Sequence, residues 1–273
     1  MSARNPGMDL DLEWVSKVRV NTQAVLKRAQ QIQSVKLAKK QWQAAWLLKA
    51  VTCIDLTTLA GDDTHSNVHR LCLKAVQPVP YDLLKSMGMH DRGLTTGAVC
   101  VYPSRVADAV KTLKAANSSL PVASAMYDEI RQFREACGDA HMKTILAIGE
   151  LGTYTNVYKA SLVSMMAGSD FIKTSTGKES VNATYPVAIV MVRAIRDYFL
   201  RTGHKVGFKP AGGIRTAQES LVWLALMKEE LGDEWLSPHL FRLGASSLLA
   251  DIERQIFHYV TGRYPALHEL PMA

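Results

Sequence analysis

Seven short apolar runs, most of them followed by a stretch of helical character, recur along this chain, and no other feature limits its fold as strongly. The runs are 51–56, 95–102, 121–125, 142–148, 170–174, 205–210 and 241–243. Helical patterning covers 106–116, 127–136, 157–167, 187–202, 217–231 and 247–260. Strands that alternate with helices predict parallel βα units, because a parallel connection needs a crossover long enough to hold a helix. With 273 residues, 48% of them hydrophobic, the chain can bury one large core. The expectation is α/β, a TIM (β/α) barrel. A closed barrel takes eight strands, so seven candidates predict a barrel short of about one βα unit.

Ahead of the first run, residues 21–50 show helical spacing of Val25, Leu26, Leu37, Trp42, Trp46 and Leu47 over a polar face rich in lysine and glutamine. This predicts an N-terminal helical extension over 1–50 covering one barrel end, a barrel domain over 51–262 and a tail over 263–273. Trp42 and Trp46, four apart, are expected to pack on one helix face.

Charge narrows the partners. The formal net charge is +7, yet lysine and arginine are spread along the chain, and the densest stretch, 36–40, holds three lysines. That pattern suits solvated surface and phosphate contacts, and neither a nucleic-acid motif nor a nucleic-acid partner is expected. Cys53, Cys72, Cys100 and Cys137 lack CxxC or metal-ligand spacing and read as reduced core cysteines. His65, His69, His90 and His141 have no partners at ligand spacing, so no metal is expected. The first residues lack an apolar signal core, and 187–200 is interrupted by Arg193, Arg196 and Asp197. A cytoplasmic chain without a membrane partner is the expectation.

Two of the apolar runs end in lysine and then turn on small residues: Asp170-Phe-Ile-Lys173-Thr-Ser-Thr-Gly-Lys178 and Val206-Gly-Phe-Lys209-Pro-Ala-Gly-Gly213. Function on a barrel of parallel strands belongs to the carboxyl ends, where Asp55, Tyr102, Lys173 and Lys209 are expected. Burial and a second ammonium nearby both disfavour a lysine's charge, and the neutral amine is a nucleophile for carbonyl carbon. Thr176-Gly-Lys178 is not a nucleotide-binding P-loop, which would need glycine where Ile172 stands.

The same residues resemble a family. Cys53-Ile-Asp-Leu-Thr-Thr-Leu59, Ala98-Val-Cys-Val-Tyr-Pro103, Gly149-Glu-Leu151, Phe171-Ile-Lys-Thr-Ser-Thr-Gly-Lys178, Val181-Asn-Ala183, Gly207-Phe-Lys-Pro-Ala-Gly-Gly-Ile-Arg215 and Phe241-Arg-Leu-Gly-Ala-Ser-Ser-Leu248 are similar to motifs of deoxyribose-phosphate aldolase, a class I Schiff-base aldolase on a TIM barrel, in its animal form. The resemblance implies retro-aldol cleavage of 2-deoxyribose 5-phosphate without a metal or organic cofactor. It makes Lys173 the Schiff-base nucleophile and Lys209 its perturbing, proton-moving neighbour. Asp55, Lys143 and Thr176 would line the site. Gly177, Lys178, Gly212, Gly213, Gly244, Ser246 and Ser247 would hold the phosphate, and self-association stays open. The chain departs from the pattern after 121–125, which runs directly into a segment similar to the family's fourth helix. The strand carrying the family's catalytic aspartate has no counterpart there. Asp128 and Glu129 read as acids of a helix's first turn, not replacements for it. Ile148 stands where the family usually has threonine. An impaired short form and a non-enzymatic phosphosugar-binding protein are the alternatives.

Overall fold

The computed structural model describes residues 4–36, 39–120, 122–124, 134–135, 137–177, 179, 181–266 and 268–270. Among them the chain forms α1 (Leu12–Lys17), α2 (Thr22–Gln33), α3 (Gln41–Cys53), β1 (Ile54–Thr57), α4 (His65–Val76), α5 (Tyr81–Ser86), β2 (Ala98–Val101), α6 (Val106–Ala115) and β3 (Val122–Ser124). There follow β4 (Lys143–Ile145), α7 (Tyr154–Met166), β5 (Phe171–Lys173), α8 (Tyr185–Thr202), β6 (Gly207–Lys209), α9 (Ala217–Leu231), β7 (Leu243–Ala245) and α10 (Leu248–Thr261). Each of the seven predicted runs yields a strand. The first is displaced: residues 51–53 belong to α3, because Val51 and Cys53 are as compatible with a buried helix face as with a strand. The predicted helix over 127–136 lies largely outside the described residues, as do Asp128, Glu129 and Leu37.

The chain divides into two compact units. One holds residues 1–35, 127–213 and 222–242, with a parallel sheet in the order β4-β5-β6. Its registers align Lys143 with Phe171, Ile145 with Lys173, Phe171 with Gly207 and Lys173 with Lys209. A single parallel bridge joins Phe208 to Phe241. Helix α8 is buried along most of its length through Val187, Ile189, Val190, Met191, Val192, Ile195 and Tyr198. Local chemistry sets its ends: Thr184 accepts a hydrogen bond from the Val187 amide, and Gly203 takes a left-handed φ of 74° at the C-terminus. Helix α2 packs on α8.

The N-terminal segment is fastened to the start of β5. Asn5, 1% exposed, donates through Nδ2 to the Met165 and Ser169 carbonyls and accepts at Oδ1 from the Tyr198 hydroxyl. Its amide donates to Asp170 Oδ1 at 2.9 Å. Asp170 Oδ2 accepts from Arg134 Nη1 at 2.7 Å and the Met142 amide at 2.9 Å. One buried carboxylate thus fixes where β5 begins and, three residues on, where Lys173 stands.

The second unit holds residues 36–126, 214–221 and 243–273, with a parallel sheet in the order β3-β2-β1-β7. Register aligns Asp55 with Ala98 and with Gly244. The helical patterning over 21–50 corresponds to two helices, α2 ending at Gln33 and α3 beginning at Gln41, and α3 packs on α10 in this unit. Trp42 is 67% exposed, against the expectation that it packs. Helix α3 buries Ala44, Leu47, Leu48 and Val51, and at 100° per residue Trp42 lies opposite Val51.

Candidate active site

Strand β5 alternates Phe171 and Lys173 on one face with Ile172 on the other, and β6 does the same with Gly207, Lys209 and Phe208. Register therefore stacks two layers on a shared face. The lower holds Lys143, Phe171 and Gly207; the upper holds Ile145, Lys173 and Lys209. In the lower layer the Phe171 ring lies where a Gly207 side chain would be, since a Cβ built there would fall 2.4 Å from Phe171 Cε1. Lys143 Nζ sits 4.8 Å from the centroid of the same ring. This places Lys143 at the amino end of β4, one layer beneath the lysine pair.

In the upper layer Lys173 and Lys209 end their strands side by side, 5% and 2% exposed. Beyond them the two chains stay tied. The Thr174 amide donates to the Lys209 carbonyl at 3.2 Å, and Thr174 Oγ1 accepts from the Ala211 amide at 3.0 Å. Ser175 Oγ lies 2.7 Å from the Ala211 carbonyl and 3.0 Å from Asn182 Oδ1. Thr176 donates from both its amide and its hydroxyl to Glu179 Oε1. The turns that follow need glycine: φ is 91° at Gly177, 87° at Gly212 and 82° at Gly213. At Gly212 a Cβ would also lie 2.3 Å from Asn182 Oδ1.

Lys143, Lys173, Lys209, Thr176, Gly177, Gly212 and Gly213 thus stand in one unit. Lys178 lies outside the described residues. Asp55, Gly244, Ser246 and Ser247 stand in the other unit, where Asp55 is fully buried beside Gly244, and Ser246 and Ser247 are exposed ahead of α10. Asp55 is the second residue of β1, not its carboxyl end as expected, because the strand starts later and runs to Thr57. Tyr102 directly follows β2. Sequence reasoning left Asp170, Glu179 and Asn182 without roles. Asn182 falls inside the Val181-Asn-Ala183 motif; its hydrogen-bond partners Glu179 and Ser175 are near in sequence, but its approach to Gly212, thirty residues on, leaves no local signal.

The four cysteines are free, Cys53, Cys72 and Cys100 buried and Cys137 half-buried. His65 pairs with Asp108 and His69 with Thr112 Oγ1, which are surface and packing contacts. Among the described residues no helix is long and apolar enough to cross a membrane.

The chain is similar to known proteins along its whole length. Residues 122–253 match the DeoC/LacD family aldolase pattern. Over its full length the chain is 62% identical to the deoxyribose-phosphate aldolase of Bos taurus and 63% to that of Mus musculus, each also covered completely. Both alignments run over 318 positions, so 45 of them have no residue in this 273-residue chain. That is the length of about one βα unit. A crystal structure of a provisionally assigned deoxyribose-phosphate aldolase from Toxoplasma gondii ME49 superposes with a TM-score of 0.66 at 16% identity, covering 83% of this chain and 98% of that one. This likeness establishes the fold as α/β of the TIM-barrel type. With full-length identity above 60% to two mammalian aldolases, the chain belongs to the deoxyribose-phosphate aldolase family.

Proposed function

We propose that this chain cleaves 2-deoxy-D-ribose 5-phosphate reversibly to D-glyceraldehyde 3-phosphate and acetaldehyde, with Lys173 as the Schiff-base nucleophile. The observation that carries the reading is the pair of buried, register-matched lysines at the ends of β5 and β6. Neutral Lys173 adds to the aldehyde carbon of the open-chain sugar, and loss of water leaves a protonated imine. The imine at C1 accepts the electron pair of the C2–C3 bond, leaving a C1–C2 enamine, as the C3 hydroxyl loses its proton and becomes the aldehyde carbonyl. Glyceraldehyde 3-phosphate departs. The enamine that remains is protonated at carbon, and water hydrolyses the imine to acetaldehyde and free lysine.

Lys209 is assigned the lowering of the Lys173 pKa and the proton transfers. Thr176, Lys143 and Asp55 are assigned to the site lining. The phosphate is assigned to Gly177, Gly212 and Gly213, whose positive φ marks turns of the kind that can offer backbone amides to an anion, and to Lys178 on its motif alone. Gly244, Ser246 and Ser247 enter on their motif alone. Cytoplasmic residence belongs to the same reading and is supported by four free cysteines.

Borohydride trapping tests the proposal. Incubation with 2-deoxyribose 5-phosphate or acetaldehyde, reduction and peptide mass spectrometry should place the adduct on Lys173. A folded chain without that adduct would sink the assignment. The family's catalytic aspartate strand has no counterpart in the sequence, and one positioned acid–base group is typically worth about 100- to 10,000-fold. Turnover below that of a mammalian relative by at least that factor is the expected outcome.

A further inference from the structure

Beside the Thr174 and Ser175 bonds to Ala211, one side chain that no assigned role has used lies between the loops after β5 and β6. Asn182 Nδ2 donates to the Glu179 carbonyl at 2.9 Å, which fixes the amide's orientation and turns Oδ1 toward Ser175 Oγ at 3.0 Å. The same Oδ1 lies over Gly212, so close that any side chain there would collide with it. The next residue's amide, Ala183, donates to the Ala211 carbonyl at 3.2 Å. Asn182 therefore touches the segment leaving Lys173, the turn that carries Gly177, and the turn that carries Gly212 and Gly213.

We propose that Asn182 is the positioning residue of the phosphate end: a strut between the two glycine turns that sets the spacing of their amides without itself contacting substrate. The argument rests on the aldolase reading above, in which those turns bind the phosphate. Amides that cradle an anion act only when they converge, and a shift of about 1 Å in a positioning element can cost about 100-fold. Each turn holds its left-handed glycines by local backbone geometry. Their separation is not local: Asn182 and Gly212 are thirty residues apart in sequence and meet only in the folded chain. Glu179 supports the strut by gripping Thr176 through Oε1.

The test compares the full chain with Asn182→Ala and with Asn21→Ala, which removes the α2 cap bond that the Ala24 amide donates to Asn21 Oδ1 and serves as a control for general destabilisation. Steady-state kinetics with 2-deoxyribose 5-phosphate and titration with inorganic phosphate are the readouts. Asn182→Ala is expected to raise KM and weaken phosphate binding by about 10- to 100-fold, with kcat changing by less than about threefold. Asn21→Ala should lose thermal stability while leaving both constants in place. Unchanged KM and phosphate affinity in Asn182→Ala would overturn the proposal and leave a purely structural residue. If that variant does not fold, Ser175→Ala, which removes the hydroxyl facing Oδ1, is expected to weaken phosphate binding in the same direction, and no weakening would overturn it equally. An unmodified chain that shows neither turnover nor a Lys173 adduct refutes the aldolase reading instead, and the phosphate titration still decides the role of Asn182.

Discussion

Lys173 and Lys209 are register partners at the last positions of β5 and β6, and both side chains are buried. On the proposed Schiff-base reading, a second ammonium beside Lys173 disfavours its charge, as burial does. Lys209→Met keeps most of the side chain's volume and removes its charge. Lys173 should still form an adduct, but the pH for half-maximal labelling should move up, and turnover near neutral pH should fall by about 100- to 10,000-fold. Cyanoborohydride labelling rates across pH check this; an unshifted profile would remove Lys209 from the mechanism.

Lys74 Nζ and Glu253 Oε1 lie 2.5 Å apart between α4 and α10, with side chains 5% and 1% exposed. Burial pushes the Glu253 carboxyl up to about 7, with Lys74 pulling the other way. Between the ordinary carboxylate value and about 7 the folded chain holds a proton that the unfolded chain releases. This group's contribution to stability therefore falls as pH rises through that window. Glu253→Gln should flatten that slope in denaturant titrations. Glu253→Leu alone should cost about 3–5 kcal/mol, because it leaves a buried ammonium, and adding Lys74→Met should recover most of it.

Glu230, its side chain 4% exposed, accepts from Arg28 Nε at 2.6 Å and Arg193 Nε at 2.9 Å, so one carboxylate of α9 ties down α2 and α8. Burial would push this carboxyl up, but the two guanidiniums outweigh it and hold it below its usual value. Its stabilisation is present above the unfolded carboxylate pKa and is lost as pH falls through the lower folded one. Glu230→Gln should cost about 2 kcal/mol at neutral pH, less than a fully buried pair since both arginines are partly solvated. Limited proteolysis should then cut within 22–33 sooner.

Gly207→Ala would drive a methyl into the Phe171 ring. In a packed sheet interior this should cost about 1–3 kcal/mol, read as a lower thermal midpoint. Phe171→Leu in the same chain should return part of that loss. Additive losses would show that the ring is not what occupies the space.

The βα alternation was readable because a strand covered on both faces is an uninterrupted apolar run, and β5 and β6 end at Lys173 and Lys209 as those runs do. The start of β1 was misplaced because Val51 and Cys53 suit either element, and the helix extends through them where α3 packs on α10. The run at 142–148 shortens to Lys143–Ile145, and the chain turns at Ala147, where φ is 47°. Trp42 was misassigned because a four-residue spacing says which residues share a face but not which face is covered.

Sequence alone determined the class of the fold, the two lysines and the glycine turns beside them, since hydrophobic run length, a terminal charge and positive-φ requirements are all local. Only the tertiary structure decided that Lys143 lies a layer below the pair, that Asp170 anchors β5 through the N-terminal segment, and that Asn182 spans the two turns. Register and side-chain contacts between residues far apart in sequence set those relationships, and no local pattern encodes them.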